Sequence, residues 1–230
     1  MISIERKLGV ILGVPSLGTW EEGFGTSLVS LLGHFMNNPV KGYRKDQWMR
    51  LHSVVGSILP RQRKMCIDQM FAQSGSHVCF VDSDQTFPRD TVHRLLAWDK
   101  DIVGCNIPVK KIPSMPTARG FDKQTIYTEE GQEGLEKVWS VGCGLILIKR
   151  KVFEAIGVKH FEMRWIEEIQ DYGGEDWSML AAARGAGFEV WIDHGLSNEV
   201  GHLGTYKFTH DVVGEVVMQE EAAKLVLANG

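Results

Sequence analysis

Two carboxylates, Asp82 and Asp84, stand one residue apart directly after the apolar run of residues 77–81. In open α/β sheets, ligands bind at the carboxyl ends of such strands. Two carboxylates this close do not ionise together easily unless a cation neutralises them, and a hard divalent ion often bridges carboxylates to phosphates. The spacing therefore predicts a site for a divalent metal and a phosphate group. The alternative is a solvated turn that caps a helix.

A second acidic pair, Glu175 and Asp176, follows two glycines in residues 173–176 (GGED). Glycine lets the backbone approach a ligand closely, and carboxylates are favoured in the first turn of a helix. Either carboxylate could act as a general base if the helix points into a cleft, because a base must reach the proton that it removes. The alternative is that both residues simply cap the helix.

His202 lies in a glycine-rich stretch, residues 201–204 (GHLG). A lone histidine is more often structural or exposed, but a neutral imidazole can complete a metal shell that carboxylates begin. Five basic residues are candidates for a second role, because cations near a diphosphate would stabilise a departing nucleotide. The alternative for each of them is a solvated surface charge. The candidate cations are Arg61, Arg63, Lys64, Lys110 and Lys111.

Composition excludes some classes of protein. The 230 residues carry a formal net charge of -4, which argues against a general nucleic-acid binder but leaves a local basic groove open. No apolar stretch approaches the ~20 residues of a membrane span, and no signal peptide is recognisable, so we expect a cytoplasmic protein without a membrane segment. The four scattered cysteines are predicted to be small buried thiols in a reducing compartment. They are Cys66, Cys79, Cys105 and Cys143.

Short apolar runs alternate with helical patterns along the chain, which predicts an α/β fold in one domain over residues 1–230. Strands are predicted at residues 10–12, 47–55, 77–81, 101–104, 145–148 and 189–192. Helices are predicted at residues 21–32, 59–74, 90–98, 151–156, 175–184 and 211–228. Residues 106–136 are rich in proline, glycine and charge, and this predicts a long loop with a hairpin or two, in a position where loops are often functional.

These pieces follow the order of one family. Residues 78–84 (VCFVDSD) resemble the strand and Asp-x-Asp motif of GT-A glycosyltransferases. Residues 141–157 are similar to that family's segment of two glycines, an apolar strand and R-x-F-x-x-G, and residues 173–184 are similar to its GGED helix. His202 falls where the family often has its third metal ligand. The resemblance covers about residues 8–210, and the compact chain is similar to bacterial and phage members.

The resemblance implies a GT-A fold, which is a Rossmann-like mixed sheet flanked by helices. It also implies a hexosyltransferase that uses a nucleotide-sugar, a UDP-sugar by family habit, with Mn²⁺ or Mg²⁺. Asp82, Asp84 and His202 would hold the metal. Asp176 would be the base of an inverting enzyme and Glu175 would contact the sugar or the acceptor, although retaining members with a similar motif exist. The implied donor-binding residues are Pro15, Ser16, Leu17, Arg63, Asp82, Ser83, Lys110, Gly142, Cys143 and Gly144.

The acceptor is open between a glycan and a hypermodified DNA base, since some phage enzymes of this kind are thought to glycosylate modified DNA. The net charge of -4 lends the DNA reading no support. We expect the acceptor to contact residues 106–136 and 159–172. Phe161, Trp165 and Tyr172 could form a stacking platform there, or they could belong to the core. The oligomeric state is not readable, and the predicted C-terminal helix could pack on the domain or on a partner.

Two other functions compete with transfer. A sugar-phosphate nucleotidyltransferase shares the fold but usually carries Arg or Lys in the loop after the first strand, whereas residues 13–23 (GVPSLGTWEEG) are acidic. A non-catalytic sugar-nucleotide or DNA-binding module would bind a donor without hydrolysis or transfer. The intact pairs of carboxylates and His202 argue against a degenerate enzyme.

Overall fold

Eleven strands and six helices occur in the described part of the chain. The computed structural model describes residues 6–111, 113–159, 161–167, 170–204 and 209–210. The strands are β1 (Gly9–Ser16), β2 (Trp48–Val55), β3 (His77–Val81), β4 (Gln85–Thr86), β5 (Ile102–Gly104), β6 (Leu135–Val138), β7 (Leu145–Lys149), β8 (Arg164–Ile166), β9 (Asp171–Gly173), β10 (Val190–Asp193) and β11 (Gly201–His202). The helices are α1 (Glu22–Asn37), α2 (Leu59–Ala72), α3 (Thr91–Ala97), α4 (Arg150–Ile156), α5 (Glu175–Gly185) and α6 (His194–Ser197). The predicted helix 211–228 lies outside the described residues.

Seven strands form one mixed sheet in the order β2-β1-β3-β7-β5-β10-β6. Strand β1 is parallel to β2 and β3, whereas β7 is antiparallel to both β3 and β5. Because β7 runs against β3, the start of β7 and the end of β3 lie at the same edge. This arrangement brings the glycine-rich residues before β7 next to the Asp-x-Asp turn. The predicted α/β class is confirmed.

The central strands are buried on both faces, which explains their continuous apolar runs. In β1, Leu12 packs into one apolar cluster with α1 and α3, while Ile11 packs into a second with α2, α4 and α5. In β3, Cys79 packs into the first of these clusters and Phe80 into the second. Side chains alternate between the faces of a strand, so neighbouring residues enter different layers.

The four cysteines are all buried and unpaired, as predicted. In the described parts of the chain, no helix is long and apolar enough to cross a membrane.

The elements that the sequence analysis did not resolve are short, and many of them pair with distant segments. Strand β6 begins inside the predicted long loop of residues 106–136 and pairs antiparallel with β10. That loop otherwise contains isolated bridges, among them Arg119 with Thr125. His202, expected in a loop, lies in β11, which pairs with β4 across more than a hundred residues of sequence. Two-residue strands carry too little periodicity to be recognised.

Substitution of Gly13 tests how closely α2 approaches β1, and substitution of Gly33 is the matched control. A Cβ on Gly13 would lie 2.9 Å from both Cβ and Sγ of Cys66 in α2, so Gly13→Ala should lower the free energy of unfolding by about 1–3 kcal/mol. Gly33 lies exposed in α1, and a Cβ there would meet no atom within 4 Å. Gly33→Ala should therefore raise stability by about 0.5–1 kcal/mol. Urea denaturation measures both, and equal effects would contradict the packing described.

Candidate active site

A small backbone ladder joins the Asp-x-Asp turn to His202. After β3 ends, the Asp82 N–H donates to the carbonyl of Gly144 at 2.9 Å, just before β7. Strand β4 then follows, and its Gln85 pairs with His202 of β11. The Leu203 N–H donates to the Asp84 carbonyl at 2.7 Å. Backbone hydrogen bonds therefore fix the end of β3, the glycines before β7 and His202 around one point.

His202 presents one ring nitrogen to Asp84. Its Nδ1 lies 2.9 Å from the carbonyl oxygen of Pro108, and because a carbonyl only accepts, Nδ1 carries the proton in the neutral ring. The Nε2 lone pair then faces Oδ1 of Asp84 at 3.4 Å. Among the described residues, this buried carboxylate oxygen has no hydrogen-bond partner. A lone pair and an unpartnered carboxylate oxygen facing each other are suited to a shared cation.

Lys110 supplies positive charge at the other oxygen of Asp84. Its Nζ forms an ion pair with Oδ2. Burial alone would raise the pKa of Asp84, but the contacts with Lys110 and with the protonated form of His202 outweigh it and lower that pKa. Asp84 is therefore a carboxylate at neutral pH.

Arg63 of α2 connects the two acidic motifs. Its side chain is only 2% exposed. Nη2 lies 3.5 Å from Oδ1 of Asp82, Nε lies 3.2 Å from Oε1 of Glu175, and Nη1 donates to the carbonyl of Cys143 at 3.1 Å. Burial disfavours this charge, but Asp82 and the other acidic neighbours more than offset the cost and raise the pKa of Arg63. The guanidinium is thus a permanent cation beneath the cleft.

Asp82 does not face His202 in the way that Asp84 does, because its Oδ1 is directed to Arg63. Burial raises the pKa of Asp82 and Arg63 opposes the shift. Within the described residues, no group of three or more His, Cys, Asp or Glu side chains is arranged to hold a metal ion. Of the three predicted metal ligands, Asp84 and His202 therefore face each other, whereas Asp82 faces Arg63.

Asp176 lies in the first turn of α5. The Trp177 N–H donates to its Oδ1 at 2.7 Å. A Cβ on Gly174 would lie 2.7 Å from that same oxygen, so glycine is required for the carboxylate to fold back over the start of the helix. Burial and the neighbouring Glu175 raise the pKa of Asp176, with Arg63 opposing. A carboxylate with a raised pKa beside a cleft is suited to general-base chemistry.

Three adjoining cavities are lined by the acidic motifs, His202, Lys110 and Arg63. The first, about 370 Å³, is lined by the first-loop residues and by the Asp-x-Asp turn. The second, about 260 Å³, shares Asp82 with the first. The third, about 560 Å³, shares Gly142 and Asp176 with the second. Because they share lining residues, the three cavities adjoin one another, and we refer to them together as the cleft and singly as the first, second and third cavity.

All residues of the predicted site lie in this cleft. The first cavity is lined by Pro15, Ser16, Leu17, Asp82, Ser83, Asp84 and Lys110. The second is lined by Arg63, Asp82, Gly142, Cys143, Gly144, Glu175, Asp176 and His202. Buried Gln62 supports the first cavity, because its Nε2 donates to the carbonyls of Ser16 and Val54 at 2.7 Å each. Sequence reasoning had not identified Gln62.

The three remaining basic candidates lie in different surroundings. Lys111 lines the third cavity. Arg61 and Lys64 lie on the exposed side of α2, where Lys64 pairs with Asp68. These two are solvated surface charges, which was the alternative considered for them.

The predicted stacking platform does not form as one surface. Phe161 is a core residue, packed 5.8 Å from Phe80 between ring centroids. Trp165 and Tyr172 form an exposed edge-to-face pair on β8 and β9, and neither lines the three cavities. Phe161 therefore belongs to the core, which was the alternative considered for it, and the three rings do not form one platform.

A different aromatic pair lines the cleft. Trp139 and Trp177 lie in the wall of the third cavity, with ring centroids 5.0 Å apart. Sequence analysis missed both. The available signal was position alone, since one precedes the glycines before β7 and the other follows the GGED motif.

No protein-family model matches the sequence, and no curated protein is significantly similar to it. Among solved structures, the chain is similar to the crystal structure of A197 from STIV, with a TM-score of 0.55, 17% sequence identity and coverage of 86% of each chain. At this identity the likeness concerns the fold alone. The mixed sheet and this match confirm the predicted fold class, a Rossmann-like mixed sheet flanked by helices.

The Arg63 ion pairs can be tested by a matched pair of substitutions in α2. Arg63→Met leaves the carboxylates of Asp82 and Glu175 without their buried counter-ion, so the free energy of unfolding should fall by about 3–5 kcal/mol. Lys64→Met removes an exposed charge from the adjacent position and should change stability by less than about 0.5 kcal/mol. Denaturant titration of both variants measures the contrast. Similar small losses would contradict the role of Arg63.

Asp176 should make stability depend on pH. Because its pKa is raised on folding, the folded state binds this proton more tightly than the unfolded state, and ionisation costs stability at neutral pH. Asp176→Asn should therefore stabilise the protein at about pH 7.5, and the gain should shrink as the pH falls toward 3.8, the ordinary value for Asp. Glu130→Gln, at an exposed position, is the control. A gain independent of pH would refute this account.

Proposed function

We propose that this protein is a metal-dependent glycosyltransferase that moves a hexose from a nucleotide-sugar, of the UDP-sugar class, to an acceptor hydroxyl. The observation that carries the proposal is the order of groups along the cleft. The Asp-x-Asp turn lines the first cavity, and Asp176 lies on the wall that the second and third cavities share. The nucleotide class and the hexose follow from the motif resemblance.

The donor would occupy the first two cavities. The nucleoside would lie against Pro15, Ser16 and Leu17, and the sugar above residues 142–144. Glycine is favoured at Gly142 and Gly144 because neighbouring side chains approach closely: a Cβ would lie only 3.2 Å from Thr117 or 3.1 Å from Asp82. Lys110, at the mouth of the first cavity, and the metal are the charges available to the diphosphate.

The donor set fits a hard divalent cation, Mn²⁺ or Mg²⁺. Asp84 offers a buried oxygen that has no hydrogen-bond partner in the described chain, and His202 offers an imidazole nitrogen oriented by the Pro108 carbonyl. A cation held there would neutralise charge on the leaving diphosphate.

Asp176 would act as the base. It accepts the proton of the acceptor hydroxyl while the acceptor oxygen bonds to the anomeric carbon and the bond from that carbon to the diphosphate oxygen breaks. Such a single displacement inverts the anomeric configuration. Its raised pKa suits Asp176 to take up a proton near neutral pH. Nε of Arg63 lies 3.2 Å from Oε1 of Glu175, and Glu175 would contact the sugar or the acceptor while Asp176 takes up the proton.

The deciding measurement is binding and hydrolysis across a panel of nucleotide-sugars with Mn²⁺, Mg²⁺ or chelator. We expect one UDP-sugar to be bound, and to be hydrolysed slowly only when metal is present. Asp84→Asn and His202→Ala should lose Mn²⁺ binding in a calorimetric titration, whereas Asp122→Asn, at an exposed loop position, should keep it. Asp176→Asn should bind the donor normally and lose about 10²–10⁴-fold in transfer.

Three results would contradict the proposal. Full turnover in the presence of chelator would show that transfer does not require a metal. Release of pyrophosphate from a nucleoside triphosphate and a sugar phosphate would identify a nucleotidyltransferase. Donor binding without hydrolysis or transfer would identify a non-catalytic binding module.

A further inference from the structure

The third cavity has a larger volume than either of the two cavities that the donor would occupy. Its volume of about 560 Å³ is within the range of sites that enclose a small organic molecule. It opens beside Asp176, and its wall contains Trp139 and Trp177. Under the proposed function, this is where an acceptor would approach the base.

Positive charge is concentrated around this cavity. Lys111, Arg119 and Lys123 all line it, and the acidic side chain among its lining residues is that of Asp176. In the described chain, none of the three cations has a carboxylate within ion-pair distance, and Arg119 donates instead to the carbonyls of Pro116 and Ala118 at 2.8 Å.

Elsewhere in the described chain, some cations form ion pairs with carboxylates and others, such as Lys41 and Lys45, do not. Arg6, Arg44, Lys64, Arg94, Lys137 and Lys149 each form an ion pair. The formal net charge of the protein is -4. Three cations around one cavity, without a carboxylate beside them in the described chain, are therefore a local departure from the overall negative charge, and they favour an anionic occupant.

The same cavity offers aromatic surface. The rings of Trp139 and Trp177 are tilted at 56° to each other, so they form an angled wall rather than a closed stack. The guanidinium of Arg184 lies 4.2 Å from the Trp139 ring centroid and Lys123 lies 6.0 Å from it. Indole faces stack against planar or sugar rings. Ring-binding surface and anion-binding charge thus occur side by side.

We propose that the acceptor is a ring compound that carries a phosphate group. The ring lies against Trp139 and Trp177, the phosphate lies among Lys111, Arg119 and Lys123, and a hydroxyl is presented to Asp176. A phosphate monoester, with a charge near -2 at neutral pH, matches three cations better than a single carboxylate would. This inference rests on the proposed function for the identity of the site as an acceptor site.

The binding test uses isothermal titration calorimetry without donor or metal. The probes are glucose 6-phosphate with glucose, and thymidine 5′-monophosphate with thymidine, so that each phosphate has its matched neutral ring. We expect at least one phosphorylated ring to bind at least about tenfold more tightly than its neutral partner. We also expect that preference to weaken as salt is raised. Equal binding of phosphorylated and neutral rings in both pairs would overturn the inference.

Two double variants locate the phosphate. Lys111→Ala with Lys123→Ala removes two exposed cations of the cavity, and the phosphate preference should then fall by at least about tenfold. Lys41→Ala with Lys45→Ala removes the same charge from an exposed turn and should leave the preference unchanged. A preference that survives the first pair would place the phosphate elsewhere, such as beside Lys110, and would overturn the inference.

Further probes identify the source of the phosphorylated ring. Tighter binding of glucose 6-phosphate would assign a sugar phosphate, and tighter binding of the nucleotide would assign a nucleotide acceptor. A single-stranded tetrathymidylate without a terminal phosphate that binds at least about tenfold more tightly than the mononucleotide would show that phosphodiesters are preferred to a phosphate monoester, and this would overturn the inference.

The outcome is independent of the donor test. If no nucleotide-sugar is hydrolysed but the phosphate preference depends on Lys111 and Lys123, the proposed function fails and the phosphate site stands. If a nucleotide-sugar is hydrolysed but neutral and phosphorylated rings bind equally, the transferase stands and this acceptor class fails.

Discussion

The buried guanidinium of Arg63 is the constraint on which the cleft depends. It joins the end of β3, the start of α5 and the backbone before β7 through Asp82, Glu175 and the Cys143 carbonyl. A charge so deeply buried costs much free energy unless its partners are held in place. The elements that carry the two acidic motifs are therefore held around one cation, and the cleft between them has a fixed shape.

The acidic groups of the cleft differ because their surroundings differ. Asp84 faces His202 and Lys110, and its pKa is lowered despite burial. Asp176 is buried beside Glu175, and its pKa is raised. One environment keeps a carboxylate ionised, which suits the proposed cation ligand, and the other raises the pKa of a carboxylate, which suits the proposed base. Separation of acid strengths by environment is how one site supports two roles with the same side chain.

The cleft also changes character along its length. The first two cavities are lined by loop backbone, glycines and the Asp-x-Asp turn, which suit a diphosphate and a sugar. The third combines indole rings with cations that have no carboxylate partner in the described chain. Asp176 stands where these two regions meet. The proposed transfer and the proposed acceptor class both follow from that position.

The sequence by itself determined the α/β class, most strand and helix positions and the candidate residues that line the first two cavities. Continuous apolar runs and glycine-flanked acidic motifs are local patterns, so they can be recognised in the sequence without knowledge of the fold. Only the tertiary structure decided that His202 is oriented by Pro108, that Phe161 belongs to the core and that Trp139 meets Trp177. Each of these depends on contacts between segments far apart in sequence. No periodicity or propensity encodes such contacts, because they exist only once the sheet order has brought the segments together.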